Sequence, residues 1–144
     1  MKRVSLILIA FILINQSVLF GEDAIAPKPQ KTDYVKAYYF HGDFRCSNCH
    51  KIETYSKEAI DKYFAKELVS GELEYEVINV DERANEHFAK DYRLYTKSLV
   101  ISRIKGEKEV GYKNLEKVWD YLGNKEAFYN YVKEEVRKFL TENK

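Results

Sequence analysis

The chain holds two cysteines, and they stand two residues apart in Cys46-Ser47-Asn48-Cys49. Thiols at that spacing can close a disulfide with each other and reopen it, which is the chemistry of dithiol exchange. The pair falls where an apolar run hands over to a helical pattern, so the unsatisfied N–H groups and the dipole of a helix N-terminus meet the first sulfur. Cys46 is then the attacking thiolate and Cys49, one turn deeper, the resolving thiol; run backwards, the pair oxidises a dithiol. Arg45, His50 and Lys51 surround it with positive charge, which favours the thiolate. The plainer alternative is an inert structural disulfide in an exported chain. So short a loop removes little unfolded-state entropy, however, and would be a weak staple for a domain with an ordinary core.

Two rival chemistries use the same residues. Extended to His50, the motif matches C-x-x-C-H, the signature of covalent haem c attachment. The one methionine is Met1, which leaves His41 or His87 as distal ligand, and a strand-rich pattern around the motif does not suit a small helical cytochrome. A site of Cys46, Cys49, His41 and His50 would suit zinc or copper, although the adjacent Cys49 and His50 make its geometry awkward. Taken singly, His87 reads as a solvated helix residue and His41 as a strand-end residue. The expectation is no cofactor beyond a redox-active disulfide, with haem c as the alternative.

The elements that must position the pair alternate. Tyr34 to Phe40 is an aromatic and β-branched run, expected to form a buried strand, and a turn follows at Gly42-Asp43. From Cys49 onward Ile52, Tyr55, Ala59, Ile60, Tyr63, Phe64 and Leu68 recur at helical spacing until Ser70-Gly71. Leu73 to Val80 alternates as a strand. Asp81 is placed to cap a helix carrying Ala84, Phe88 and Tyr92 on one face. Ser98 to Ile104 and Val110 to Tyr112 read as a hairpin through Lys105-Gly106-Glu107. Asn114 and Asn124 can cap a short helix, Leu115 to Leu122, and a longer one carrying Phe128, Tyr131, Val132, Val136, Phe139 and Leu140. This order closes with one right-handed parallel crossover and one antiparallel hairpin. The expected class is α/β, thioredoxin-like: a central mixed sheet of about four strands flanked by helices, with an extra C-terminal helix.

Ahead of these elements, Lys2 and Arg3 precede an apolar run from Leu6 to Ile14, and Gly21 is a small residue suited to cleavage. Residues 1–21 therefore read as a signal peptide or, uncleaved, a membrane anchor. Residues 22–32 contain Pro27 and Pro29 and read as a linker, leaving one domain over 33–144. The protein is expected to be exported to the periplasm or another extracytoplasmic space, touching a membrane only through its N-terminal segment if that segment is left uncleaved. With 24 Lys+Arg against 23 Asp+Glu the net charge is +1, and cleavage after Gly21 gives 22 − 23 = −1, so no nucleic acid partner is expected. With 45% hydrophobic and 33% charged residues the chain is neither disordered nor low-complexity. The twelve tyrosines fall mostly at core spacing, and the C-terminal Lys/Glu runs read as a solvated helix face.

Tyr38-Tyr39-Phe40-His41-Gly42, Arg45-Cys46-Ser47-Asn48-Cys49 and Ile52-Glu53 resemble the signature of the ArsF-type branch of thioredoxin-like proteins, sometimes labelled a nitrophenyl-compound nitroreductase subunit. The likeness continues through Asn79-Val80-Asp81, Ser98-Leu99-Val100 and the Trp119 region. It implies a thioredoxin fold with Cys46 and Cys49 as redox centre. Nitro reduction normally needs a flavin or another electron carrier, and no glycine-rich dinucleotide fingerprint is present, so that label points to a partner system. The expected partner is a redox protein, with a membrane electron carrier as one candidate. Compared with ordinary thioredoxins, Ser47-Asn48 replaces Gly-Pro, and Thr96-Lys97 occupies the place of the cis-proline, where a trans or rearranged loop is expected. Lys97 can then approach Cys46. The position of the buried acid that assists proton transfer falls on Phe40, leaving water or Glu53 for that task.

Overall fold

The computed structural model describes residues 32–141. The leader and nearly all of the linker lie outside them. Among the described residues no helix is long and apolar enough to cross a membrane.

The element order is β1 (Asp33–His41), α1 (Ser47–Tyr63), α2 (Ala65–Ser70), β2 (Leu73–Asn79), α3 (Glu86–Asp91), β3 (Ser98–Lys105), β4 (Lys108–Asn114), a 3₁₀ turn (Glu116–Val118) and α4 (Lys125–Thr141). The four strands form one sheet in the order β2-β1-β3-β4. β1 runs parallel to β2, with Tyr39 opposite Val77, and antiparallel to β3, with Tyr39 opposite Leu99. β3 and β4 form the expected hairpin, with a register shift between Arg103 and Ile104.

The central strand explains its own sequence. β1 is covered on both faces, so it reads as a nearly continuous apolar run rather than an alternating one. Val35, Ala37 and Tyr39 belong to the larger core, with Ile52, Ala59 and Ile60 of α1 and Phe128, Val132 and Val136 of α4. Tyr38 and Phe40 belong to a second core with Ile78, Tyr92 and Val100, against which Phe88 of α3 packs. Period-two alternation thus sends the neighbours Tyr39 and Phe40 to opposite faces.

Four local expectations are corrected. The helical run from Cys49 to Leu68 is two helices: Phe64 leaves helical geometry (φ −132°, ψ 28°) as its side chain enters the core, 2% exposed. α2 then closes on Gly71 in the left-handed conformation that glycine adopts freely (φ +75°). The short helix expected over Leu115 to Leu122 is a single 3₁₀ turn followed by turns. In that geometry residues three apart eclipse, which lets Leu115 and Val118 both be fully buried. Asn114 is the last residue of β4 rather than a helix cap, and its Nδ2 donates to Ser98 Oγ (3.4 Å). Nor does Asp81 cap a helix: α3 starts later, after Asn85, and Ala84 lies outside it, while the Asp81 carboxylate accepts from the Asp43 N–H (2.7 Å). Asn124 does cap α4, its Oδ1 accepting from the Ala127 N–H (3.0 Å).

Candidate redox site

The end of β1, the start of α1 and the segment before β3 meet at one end of the sheet, and the two cysteines lie there. Cys46 is the N-cap of α1, and its Sγ accepts from the Cys49 N–H (3.3 Å). A sulfur is thereby aimed at the N–H groups of a first turn that contains no acidic residue. Cys46 and Cys49 are joined as a disulfide across a Cα–Cα distance of 5.1 Å. Their exposure differs: Cys46 is half-buried and Cys49 buried at 2%. Ser47, Asn48, His50 and Lys51 are exposed around them.

Beneath Cys49 lies a polar floor. The Tyr39 hydroxyl, fully inside the core, donates to the Cys49 carbonyl (2.7 Å). Burial pushes the Tyr39 phenol up to about 12, and the neighbouring Arg45 guanidinium pulls the other way. Arg45 turns inward and forms an ion pair with Glu53. The two side chains are 23% and 29% exposed overall, but the Arg45 Nη2 and Glu53 Oε2 ends of the pair are buried. Tyr75, whose phenol burial also raises, donates to the Glu53 carbonyl (3.4 Å). Arg45 therefore shares its charge with Glu53 below the helix, whereas His50 and Lys51 stand in solvent.

The loop before α1 is held from β2. Asp81 accepts from the Asp43 N–H, Asn79 Nδ2 donates to Asp43 Oδ1 (2.8 Å), and the Asp81 N–H donates to Asn79 Oδ1 (3.1 Å). Asp81 lies so close to Gly42 that a Cβ there would sit 2.5 Å from Oδ2. Opposite, Thr96 is exposed and Lys97 half-buried. The Lys97 ammonium lies 5.9 Å from the centre of the Phe44 ring, and its carbonyl accepts from Trp119 Nε1 (3.1 Å). The structure thus brings the Thr96–Lys97 segment against the residue two before Cys46. No cis peptide occurs among the described residues, so the Thr96–Lys97 bond is trans. Phe44 and Tyr95 are large apolar side chains left in solvent here, 78% and 95% exposed.

The zinc or copper ligand set does not assemble among the described residues. Among the described residues no group of three or more His, Cys, Asp or Glu could hold a metal ion. His41 turns its Nδ1 to the Gly42 carbonyl (3.0 Å), and His87 pairs with Asp91 (2.8 Å) on an exposed face of α3.

The polar contact of Tyr39 and the buttressing role of Asp81 are functional features that the sequence alone does not announce. A tyrosine on the fully buried central strand was the available signal for the first, since a buried hydroxyl needs a partner. For Asp81, the Gly42-Asp43 turn showed a close approach without showing to what.

The strand order, the register and a CxxC disulfide at the junction of the first strand and first helix define a thioredoxin-like α/β domain with a dithiol–disulfide centre. No protein-family model and no curated protein matches the chain. Among solved structures it is similar to the reduced thioredoxin pre-protein of Schistosoma mansoni, with 20% identity over 76% of this chain and 83% of that one and a TM-score of 0.47. Fasciola hepatica thioredoxin is similar at 21% identity over 77% and 82% of the two chains, TM-score 0.42. Oxidised thioredoxin O2 of Arabidopsis thaliana is similar at 15% identity over 67% and 76%, TM-score 0.40.

Proposed function

We propose that the protein is an exported thiol–disulfide oxidoreductase in which Cys46 attacks and Cys49 resolves. In the reducing direction the Cys46 thiolate attacks one sulfur of a partner disulfide. A Cys46–partner bond forms, and the partner's other sulfur leaves as a thiolate that takes a proton from solvent. Cys49 then gives up its proton and attacks the Cys46 sulfur, releasing the second partner thiolate and restoring the Cys46–Cys49 disulfide. Two electrons have moved to the partner. The reverse sequence oxidises a partner dithiol.

The observation that carries this reading is the asymmetry of the pair. Cys46 is the half-buried N-cap facing helix N–H groups, and Cys49 is buried behind it. Arg45 acts from beneath through its pairing with Glu53, His50 adds charge at the rim, and Thr96 and Lys97 form the opposing lip on which a partner chain rests. The apolar leader supports export and a redox partner protein, with a membrane electron carrier as donor; near-zero net charge speaks against nucleic acid. The likeness of Tyr38 to Gly42 and Arg45 to Glu53 to the ArsF-type branch supports placement there, with nitro-compound reduction belonging to a partner system.

A mixed-disulfide trap tests the assignment. The Cys49→Ala protein, expressed with its leader, is expected to accumulate a covalent adduct through Cys46 that a reductant releases, while Cys46→Ala accumulates none. Equal trapping by both variants, or by neither, contradicts it.

A further inference from the structure

Arg93 follows α3 with φ +51°, the one described residue other than glycine with positive φ. Its N–H bonds the Lys90 carbonyl (3.2 Å) and the Leu94 N–H reaches back to Ala89 (2.8 Å), the closure that ends helices on a left-handed residue. Glycine adopts that conformation freely, and an arginine does so under strain. The closing backbone bonds offset part of the strain, while the exposed Arg93 side chain adds nothing to that offset, having no hydrogen-bond or ion-pair partner among the described residues.

The same residue borders a cavity of about 610 Å³, within the range of small-molecule sites. Four aromatic side chains line it: Tyr92, Tyr95, Tyr112 and Trp119. Three are fixed. Tyr92 and Tyr112 meet edge to face with ring centres 4.8 Å apart, the Tyr92 hydroxyl is bonded to the Glu109 carboxylate, and the Trp119 indole is tied to the Lys97 carbonyl. Arg93 and Glu116 are the charged lining residues, and Thr96 of the lip opposite the dithiol also lines this cavity.

We infer that this cavity binds a small planar aromatic anion, its ring held among the tyrosines and Trp119 and its anionic group on the Arg93 guanidinium. A carboxylate matches the planar fork of a guanidinium with two parallel hydrogen bonds. Pre-set aromatic walls hold a ring without ordering new side chains. Glu116 stands against the anion and limits affinity. The inference does not depend on the dithiol reading, since it concerns binding and not exchange.

Trp119 is the one tryptophan of the chain, so its emission reports occupancy directly. Benzoate titrated into the full-length protein is expected to change that emission saturably. Benzamide, which keeps the ring without the charge, and acetate, which keeps the charge without the ring, should bind about tenfold more weakly or worse. Arg93→Gly removes the cation and the strain together. It should leave the unfolding temperature unchanged or higher while weakening benzoate about tenfold. Glu116→Gln should tighten benzoate. The inference is overturned if benzoate gives no saturable signal up to about 10 mM, if benzamide binds as well as benzoate, if Arg93→Gly leaves benzoate affinity unchanged, or if Glu116→Gln weakens it.

Discussion

The floor under Cys49 and the rim around Cys46 are built on opposite terms. In the floor the polar groups are tied to named neighbours, with Arg45 Nε alone left without a hydrogen bond among the described residues: Tyr39 bonds the Cys49 carbonyl, Arg45 pairs with Glu53, and Tyr75 bonds the Glu53 carbonyl. In the rim Phe44 and Tyr95 stand in solvent, and Lys97 touches Phe44 only through its ring face. A resolving sulfur must sit at a fixed distance from its partner, and so its support is locked. A surface that meets another molecule gains from groups that can be covered, and exposed aromatic rings supply large contact area with few rotamers to freeze. Breaking the floor should therefore cost stability, whereas stripping the rim should cost partner turnover alone.

The largest stability effect is expected from Glu53→Ala, which leaves the inward Arg45 charge without its counter-ion. A loss of about 2–4 kcal/mol, read by denaturant unfolding of the oxidised protein, follows from uncovering a mostly buried charge. A loss below about 0.5 kcal/mol would put the pair in the same class as surface pairs. Next comes Gly42→Ala. Its Cβ would press the exposed Asp81 carboxylate, which can swing away only by releasing the Asp43 N–H, at an expected cost of about 1–1.5 kcal/mol. Asp81→Ala in the same chain should recover part of that loss, a coupling a double-mutant cycle measures.

Tyr39→Phe removes one buried hydrogen bond and should cost about 1 kcal/mol near neutral pH. Its pH dependence is more diagnostic. The folded phenol titrates at about 12 against an ordinary value of 10.0, so the folded state holds the proton more tightly than the unfolded one. The resulting stability is fully present below pH 10 and is lost as pH rises from 10 through 12. Replacing Tyr39 by Phe should lessen the slope of the unfolding profile in that window, while Tyr38, Tyr75, Tyr92 and Tyr131, whose phenols burial also raises, keep the rest of it. An unchanged profile would remove Tyr39 from the floor. The smallest stability effect belongs to Phe44→Ala with Tyr95→Ala, expected within about 0.5 kcal/mol of the parent, while turnover of a protein disulfide falls several-fold. Unchanged turnover would erase the distinction between floor and rim.

Much of this arrangement was legible beforehand, because it rests on period and punctuation. The β1 run, the alternation from Leu73, the hairpin around Gly106 and the cap at Asn124 each act locally, and the sheet and its helices follow from them. What could not be read depends on which residues meet across the sheet. Asp81 is a good cap in isolation, yet a carboxylate that finds the Asp43 N–H is no longer free to cap. Phe64 fits the helical spacing and still breaks the helix, because the core takes its ring. At the site, the place of Cys46 and the shielding of Cys49 follow from a helix starting at the motif. The inward turn of Arg45 onto Glu53 does not, since eight residues of helix and loop decide where a guanidinium ends.

The central claim is that Cys46 is an accessible sulfur ionised by the helix N-terminus while Cys49 is shielded behind it. Alkylation of the fully reduced protein over a pH series, with the modified residue identified by mass, tests this most directly. The account predicts that Cys46 reacts first, with a midpoint well below the ~8.5 of a free thiol, and that Cys49 resists until the protein is unfolded. A Cys46 midpoint at or above that value, or equal reaction of both cysteines in the folded protein, would contradict it.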